Sequence, residues 1–229
     1  MRAVLRVDRR ALLAAACIAL VASVVVCVRG YALYREAIAE LPVSDAVDAA
    51  RASSDYVRSD DLPSFYLDAV VAVEDHRFYG HPGFDVIAIG RALLHDITTL
   101  SLEQGGSTIT QQLAKNLFFS QDKEFSRKVA EVFMALDLEA RYDKGEILEL
   151  YVNTSYFGGG CTGIGPASRA YLGKEPREMT SCDSALMAGL PNDPNVLWSN
   201  PELARARRDL VLAQMEKYGS ADGALPSCA

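Results

Sequence analysis

The chain has 229 residues, of which 50% are hydrophobic, and its formal net charge is −7. A chain of this length can bury one sizeable core together with a membrane segment, but hardly two catalytic domains. Beyond residue 10 it carries 19 basic and 29 acidic side chains, a balance that disfavours nucleic acid as a partner.

The first predicted element is a transmembrane anchor at residues 11–28. This uncharged run of 18 residues would cover roughly 27 Å as a helix, close to the thickness of a bilayer's hydrocarbon core. A signal peptide would usually have a shorter apolar segment and a small-x-small cleavage site, and Val21-Ala22-Ser23 is a poor match that lies inside the run. Four arginines against one aspartate in residues 1–10 place that end in the cytoplasm and everything after Arg29 outside.

Polar, turn-rich sequence follows the anchor. Residues 31–41 have helical composition up to Pro42, and residues 53–55 and 59–61 are rich in Ser and Asp. We therefore assign residues 29–60 to a juxtamembrane stalk, residues 61–219 to one folded domain and residues 220–229 to a C-terminal tail.

Within the domain, the sequence is a succession of helix patterns with little strand alternation. Capping boxes predict helices that begin after Thr108, Asp143 and Thr180. Asn200-Pro201 opens a last helix, which Gly219 closes. The predicted fold class is mainly α, with several packed helices in one domain.

Residues 125–140 are predicted to form an amphipathic helix. The apolar positions recur at three-and-four spacing, at Phe125, Val129, Val132, Phe133, Leu136 and Ala140. The other face carries Lys128 and Glu131, so Glu131 belongs to a packed, rigid element.

A first block of polar residues runs from Glu74 to Gly83, with the sequence EDHRFYGHPG. The valines at 70, 71 and 73 put an apolar wall before Glu74, which predicts a pKa raised by desolvation and a general base. An isolated Glu-Asp pair would be better interpreted as solvated surface. The neighbouring blocks are what favours a catalytic role for Glu74 instead. For His76 and His81 we favour structural hydrogen bonding over metal ligation, because no third ligand has the spacing.

A second block begins at Gly105-Gly106-Ser107-Thr108 and continues into a helix. The glycines let the backbone approach a ligand closely, and the helix start offers unpaired N–H groups that suit phosphate oxygens. An ordinary glycine turn with a helix cap explains these four residues equally well. The following helix adds side-chain donors that an inert cap does not require, at Gln111, Gln112, Lys115 and Asn116.

The third block adds cations and a second carboxylate. Lys115, Lys123, Arg127 and Lys128 fall within a stretch of 14 residues, an enrichment that indicates an anionic ligand. Taken alone, Arg127 and Glu131 would be a solvated helix ion pair worth about 0.3–0.5 kcal/mol. That interpretation weakens because two cations and a carboxylate recur just beyond a glycine-rich anion site.

Cysteine usage does not indicate a disulfide scaffold. Cys17 and Cys27 lie in the apolar run, which leaves Cys161, Cys182 and Cys228 outside it. A Cys161–Cys182 bridge is one option, and the sequence offers nothing further in its support.

Together these blocks resemble the glycosyltransferase domain of bifunctional penicillin-binding proteins and of monofunctional peptidoglycan glycosyltransferases. The resemblance covers roughly residues 61–215 and includes residues 144–153, Tyr156-Phe157-Gly158, residues 171–174 and residues 188–191. It implies a lysozyme-like helical fold, with one lobe dipping into the outer leaflet, that joins lipid II units into glycan strands. It makes residues 61–219 a peptidoglycan glycosyltransferase domain on the outer face of a single-pass cell-membrane protein.

The resemblance also implies residue roles. Glu74 matches the catalytic base, which takes the proton of the acceptor's 4-hydroxyl as that oxygen attacks the donor's anomeric carbon, inverting it and expelling undecaprenyl pyrophosphate. Glu131 matches the second catalytic glutamate, which orients cations or a divalent metal. The implied substrate-binding residues are Ser107, Gln111, Gln112, Lys115, Asn116, Lys123, Arg127 and Lys128. No cofactor is obligatory, and magnesium or manganese at the pyrophosphate stays open.

Three positions depart from the family pattern, namely Lys123 where many relatives have arginine, and Thr162 and Pro166 where relatives often have tyrosine and alanine. Ser120 and Lys123 match the Ser-x-x-Lys signature of penicillin-reactive enzymes, but the sequence contains neither Lys-Thr-Gly nor Ser-Asp-Asn, so we expect no transpeptidase activity.

The implied partners are lipid II, the growing glycan strand, the membrane, and a transpeptidase or other cell-wall proteins. Two alternatives remain: a lytic transglycosylase that cleaves peptidoglycan with one essential glutamate, and an inactive membrane-anchored scaffold. The cation-rich second and third blocks argue against the lytic enzyme, because cleavage needs no pyrophosphate site. The presence of both Glu74 and Glu131 argues against the inactive scaffold.

Overall fold

The N-terminal apolar run forms the first part of one long helix. We describe a computed structural model of residues 9–91, 106–119, 125–218 and 225–228. In it, α1 spans Arg9–Glu40 without a break. Its segment Leu12–Glu40 is long and apolar enough to cross a membrane, and it is the one such segment in the ranges just given. The helix ends before Pro42, as the composition of residues 31–41 predicted.

The predicted stalk differs from the structure, because much of it packs into the folded domain. α2 (Val43–Arg51) buries Val43, Ala46 and Val47. Of the polar residues that follow, Ser59 is tied to α6, since it donates to the Glu149 carboxylate through both its backbone N–H and its hydroxyl. The folded unit therefore begins well before residue 61.

The remaining described elements are mainly helical, as predicted. The helices are α3 (Ser64–Glu74), α4 (Ile109–Phe118), α5 (Phe125–Arg141), α6 (Lys144–Thr154), α7 (Ile164–Leu172), α8 (Ser181–Gly189), α9 (Pro194–Ser199) and α10 (Pro201–Tyr218), with a further helical stretch at residues 86–91. One antiparallel hairpin pairs β1 (Tyr156–Gly158) with β2 (Cys161–Thr162). The predicted capping boxes are present at α4, α6 and α8.

Two groups of helices enclose the core. α3 packs against α8 and α10, while α4 packs against α5 and α6. The largest side chains in this core are fully buried, among them Tyr66, Leu113, Met134, Tyr151 and Met187. The arrangement sets the C-terminal end of α3 close to the N-terminal end of α4, and the first two polar blocks meet there.

The buried face of α5 is not the one that the apolar spacing predicted. Phe125 is 86% exposed, whereas the residues in the core are Ser126, Ala130, Glu131, Met134, Ala135 and Leu138. The reason is that α1 returns along the other side of α5, where the Phe133 ring lies 5.3 Å from the Tyr31 ring, centroid to centroid. The helix is covered on two faces, and the face that carries Glu131 points inward.

The disulfide joins Cys182 to Cys228, and Cys161 is free. The Cys161–Cys182 option is therefore wrong. Cys161 lies in β2, whereas residues 225–228 return to α8 with Leu225 packed against the core. That return brings Cys228 to the N-terminal turn of α8, a long-range contact that cysteine spacing alone does not reveal.

Candidate active site

A cavity of about 520 Å³ lies at the junction of α3, α4 and α10. Its lining includes five of the ten predicted site residues, namely Glu74 at the end of α3 and Ser107, Gln112, Lys115 and Lys128. Arg207 of α10 also lines the cavity. The cavity thus combines a carboxylate with several cations.

Glu74 stands at the last position of α3, behind the apolar wall of Val70 and Val71. Its Oε2 accepts a hydrogen bond of 2.8 Å from Gln112 Nε2, and the Gln112 Oε1 accepts one of 3.3 Å from the Tyr151 hydroxyl. The residue keeps an edge open to the cavity, but protein atoms surround the carboxylate. This burial raises its pKa, against the Gln112 hydrogen bond and the nearby charges of Arg207 and Lys115.

Asp75 ties the first polar block to the second. Its carboxylate accepts a hydrogen bond of 2.9 Å from His81 Nε2 and one of 3.2 Å from the backbone N–H of Ile109, at the start of α4. A second link runs from the Thr108 hydroxyl to the Gly83 carbonyl at 2.6 Å. His81 therefore has the structural role that its spacing favoured, and these bonds hold Glu74 beside α4.

Gly83 is a glycine for a definite reason. Its φ is +92°, in the left-handed region, and a Cβ there would lie 3.0 Å from the Ala135 carbonyl oxygen. A larger residue would push the turn of the first block away from α5.

Glu131 is fully buried and holds two cations. Its Oε1 accepts a hydrogen bond of 2.9 Å from Arg127 Nη1, and its Oε2 accepts one of 2.7 Å from Lys128 Nζ. Lys128 Nζ also donates to Ser107 Oγ at 3.0 Å, which joins the third block to the glycine turn of the second. Arg127 and Glu131 do not line the cavity, and only Lys128 carries the cluster's charge to its wall.

Lys115 adds a further positive charge beside this cluster. Burial lowers the pKa of its ammonium group, and the neighbouring charges of Lys128 and Arg127 act in the same direction, while Glu131 and Glu74 oppose them. Closely spaced cations such as Lys115, Arg127 and Lys128 suit an anionic ligand, because the ligand relieves their mutual repulsion.

The other predicted residues lie elsewhere. Gln111 is buried, and its side chain completes the capping box with Thr108 rather than facing the cavity. Asn116 is exposed and does not line the cavity. Lys123 and Ser120 lie outside the described residues.

A divalent metal at the pyrophosphate stays a prediction. Both oxygens of Glu131 are engaged by Arg127 and Lys128. Within the described ranges, no group of three His, Cys, Asp or Glu side chains has the geometry of a metal site. Lysine and arginine side chains bring positive charge to the cavity, among them Lys115, Lys128 and Arg207.

The sequence patterns did not predict that α10 lines the cavity. Arg207, Leu210, Gln214 and Tyr218 all line the cavity, and their spacing of three, four and four residues places them on one helix face. The Arg207 stem lies against Gly189, where a Cβ would be 2.8 Å from Arg207 Cγ. Its buried Nε has no hydrogen-bond partner among the described residues. A polar stripe at helical spacing was the available signal.

The chain is similar to one known protein family and to several individual proteins. A family model described as "Transglycosylase" matches residues 42–216. A protein of Cupriavidus necator, provisionally named a transglycosylase, is 42% identical over 79% of this chain and 78% of its own length. Penicillin-binding protein 1F of Bacillus subtilis is 42% identical over 71% of this chain, and penicillin-binding protein 1A of Vibrio cholerae is 45% identical over 71%. The chain spans only 23% and 20% of those two proteins.

Proposed function

The chain belongs to the transglycosylase family and is, at the level of that family, a peptidoglycan glycosyltransferase, and from that premise we propose that it polymerises lipid II into glycan strands. The observation that carries the proposal is the pairing, in one cavity, of the Glu74 carboxylate with the cations Lys115 and Lys128. Such a pairing suits proton removal at one end of the site and departure of a pyrophosphate at the other.

Glu74 acts as the general base. Its carboxylate takes the proton of the acceptor sugar's 4-hydroxyl, the oxygen forms a bond to the anomeric carbon of the donor, and the bond from that carbon to the pyrophosphate oxygen breaks. The electron pair leaves with undecaprenyl pyrophosphate, and the anomeric carbon is inverted. A pKa raised by burial makes Glu74 a stronger base than a solvated glutamate.

Lys115 and Lys128 stabilise the negative charge that develops on the leaving pyrophosphate. Lys128 is positioned by Glu131 and reaches Ser107 at the glycine turn, so its ammonium is fixed before the substrate arrives. Preorganised charge of this kind is usually a large contribution to transfer reactions. Glu131 acts through the cations and does not contact the substrate itself.

The proposed location of the protein rests on α1. We propose that α1 anchors the protein in the cell membrane with its N-terminus in the cytoplasm, so that the cavity faces the outer leaflet, where lipid II presents its sugars. The proposed partners are lipid II, the growing strand, the membrane, and a transpeptidase or other cell-wall proteins.

The direct test is to incubate the purified full chain, in detergent or bilayers, with labelled lipid II and to resolve the products by size. Glycan strands longer than the disaccharide unit, together with undecaprenyl pyrophosphate, are the expected result. Shortening of preformed glycan strands without consumption of lipid II would instead establish a lytic enzyme. No change in either substrate would indicate an inactive scaffold.

A further inference from the structure

The outer side of α5 carries a close helix contact that the proposed chemistry does not explain. Gly30 of α1 is buried against α5, and a Cβ at that position would lie 2.5 Å from Val129 Cβ and 2.9 Å from the Ser126 carbonyl oxygen. Neither atom belongs to the flexible end of a side chain. A methyl group at residue 30 would therefore force the two helices apart.

The contact is extended by polar and aromatic groups on the next turns. The Tyr34 ring lies 6.0 Å from the Phe133 ring, and the Tyr34 hydroxyl donates a hydrogen bond of 3.2 Å to Asp137 Oδ2. α1 thus lies along α5 over several turns, and Gly30 is the point of closest approach. Since α1 is one unbroken helix, the membrane segment and this contact form one rigid element.

The residues on the opposite side of α5 are those that hold the cation cluster. Val129 directly follows Lys128, and Glu131 comes two residues later in the same turn. Glu74 and Lys115, in contrast, belong to α3 and α4. A displacement of α5 therefore moves Arg127, Lys128 and Glu131 relative to the rest of the cavity.

We infer that Gly30 and Val129 are positioning residues, and that the membrane helix sets where Lys128, held by Glu131, stands at the cavity. The absence of a side chain at residue 30 lets α1 press α5 into the position where Lys128 reaches Ser107. A misplacement of about 1 Å at a reacting centre can reduce rate by about 100-fold. The inference rests on the proposed function for its kinetic readout but not for its binding readout.

The test uses the full chain in detergent micelles and measures the affinity for inorganic pyrophosphate by calorimetry, kcat and KM for lipid II, and the thermal midpoint. The variants are Gly30→Ala, Val129→Gly and the swap of both, which returns the small residue to the interface on the other helix. Ala32→Val is the matched control, because Ala32 is exposed on the same helix.

We expect Gly30→Ala to weaken pyrophosphate binding at least about tenfold, with a corresponding loss of kcat/KM. Adding Val129→Gly should recover at least about fivefold of that loss, since neighbouring residues in contact couple strongly. Ala32→Val should match the wild type in all three measurements.

The inference is overturned if Gly30→Ala binds pyrophosphate as the wild type does, if Val129→Gly fails to reverse the loss, or if the wild type binds no pyrophosphate. The inference is also overturned if Gly30→Ala only lowers the thermal midpoint, so that the folded variant binds pyrophosphate as tightly as the wild type does at temperatures below that midpoint. Pyrophosphate affinities that follow the expected pattern in a chain that makes no polymer would reject the proposed function and leave the positioning role intact.

Discussion

Glu74 and Glu131 belong to the same site, but their surroundings differ in the features that govern charge. Glu131 is fully buried and accepts bonds from two cations, Arg127 and Lys128. Glu74 faces the cavity and accepts one hydrogen bond from a neutral amide, that of Gln112. A carboxylate paired with cations, such as Glu131, organises charge. Glu74 has no ion pair among the described residues, so its carboxylate is available to accept a proton.

The largest expected effect follows from Glu74→Gln, which keeps the size and removes the base. Lipid II polymerisation should fall by about 100-fold to 10,000-fold, the usual contribution of a positioned general base. Stability, in contrast, should be unchanged or should increase. Because burial raises the pKa of Glu74, its ionised form is disfavoured in the fold at neutral pH, and the amide should match or exceed the wild-type thermal midpoint.

Glu131→Gln should give the opposite stability result and a smaller loss of activity. The substitution leaves Arg127 and Lys128 without their carboxylate. The loss of unfolding free energy should be below the about 3–5 kcal/mol typical of breaking a fully buried pair, because Lys128 is half-exposed. Thermal unfolding and pyrophosphate affinity should both decline. Glu216→Gln, at an exposed position of α10, is the control. Equal unfolding midpoints in the Glu131 and Glu74 variants would remove the distinction between the two sites.

Arg207→Ala should have a more moderate effect, which acts through the charge that α10 brings to the cavity. The Arg207 charge holds the pKa of Glu74 down against burial, so its removal should raise that pKa further. Activity should then fall several-fold on the acid side and be restored at higher pH. Arg205→Ala, an exposed neighbour, serves as the control, and an unchanged acid limb in Arg207→Ala would contradict the proposed interaction.

The smallest effect on activity is expected from Cys228→Ser, because the disulfide contacts neither glutamate. Unfolding free energy should fall by about 2–4 kcal/mol, the usual contribution of one disulfide. Polymerisation below the unfolding transition should stay close to that of the wild type. The free Cys161 provides the control as Cys161→Ser. A loss of polymerisation as large as that of Glu131→Gln would show that the tail shapes the cavity.

Much of the fold was available in local sequence signals. The capping boxes gave the starts of α4, α6 and α8 because a capping box is satisfied within one turn. The apolar residues before Glu74 likewise predicted a pKa raised by desolvation, and burial is the largest cause of the raised pKa in the structure.

Long-range packing decided what the sequence could not. The spacing in α5 indicated one apolar face and gave no sign that α1 would cover a second, so Glu131 was assigned to the polar side. Gln111 carried a donor that suited substrate, but its own capping box uses the side chain. Arg207 stands among several arginines in α10, and it is the packing of its stem on Gly189 and its place in the cavity lining that distinguish it.

The pH dependence of kcat/KM for lipid II, in the wild type and in Glu74→Gln, tests the central claim most directly. Glu74 must be ionised to accept a proton, so wild-type activity should fall as the pH drops through a pKa above the ordinary glutamate value of 4.5. The residual activity of Glu74→Gln should lack that acid limb. A Glu74→Gln variant that polymerises at the wild-type rate, with the same acid limb, would show that another group accepts the proton.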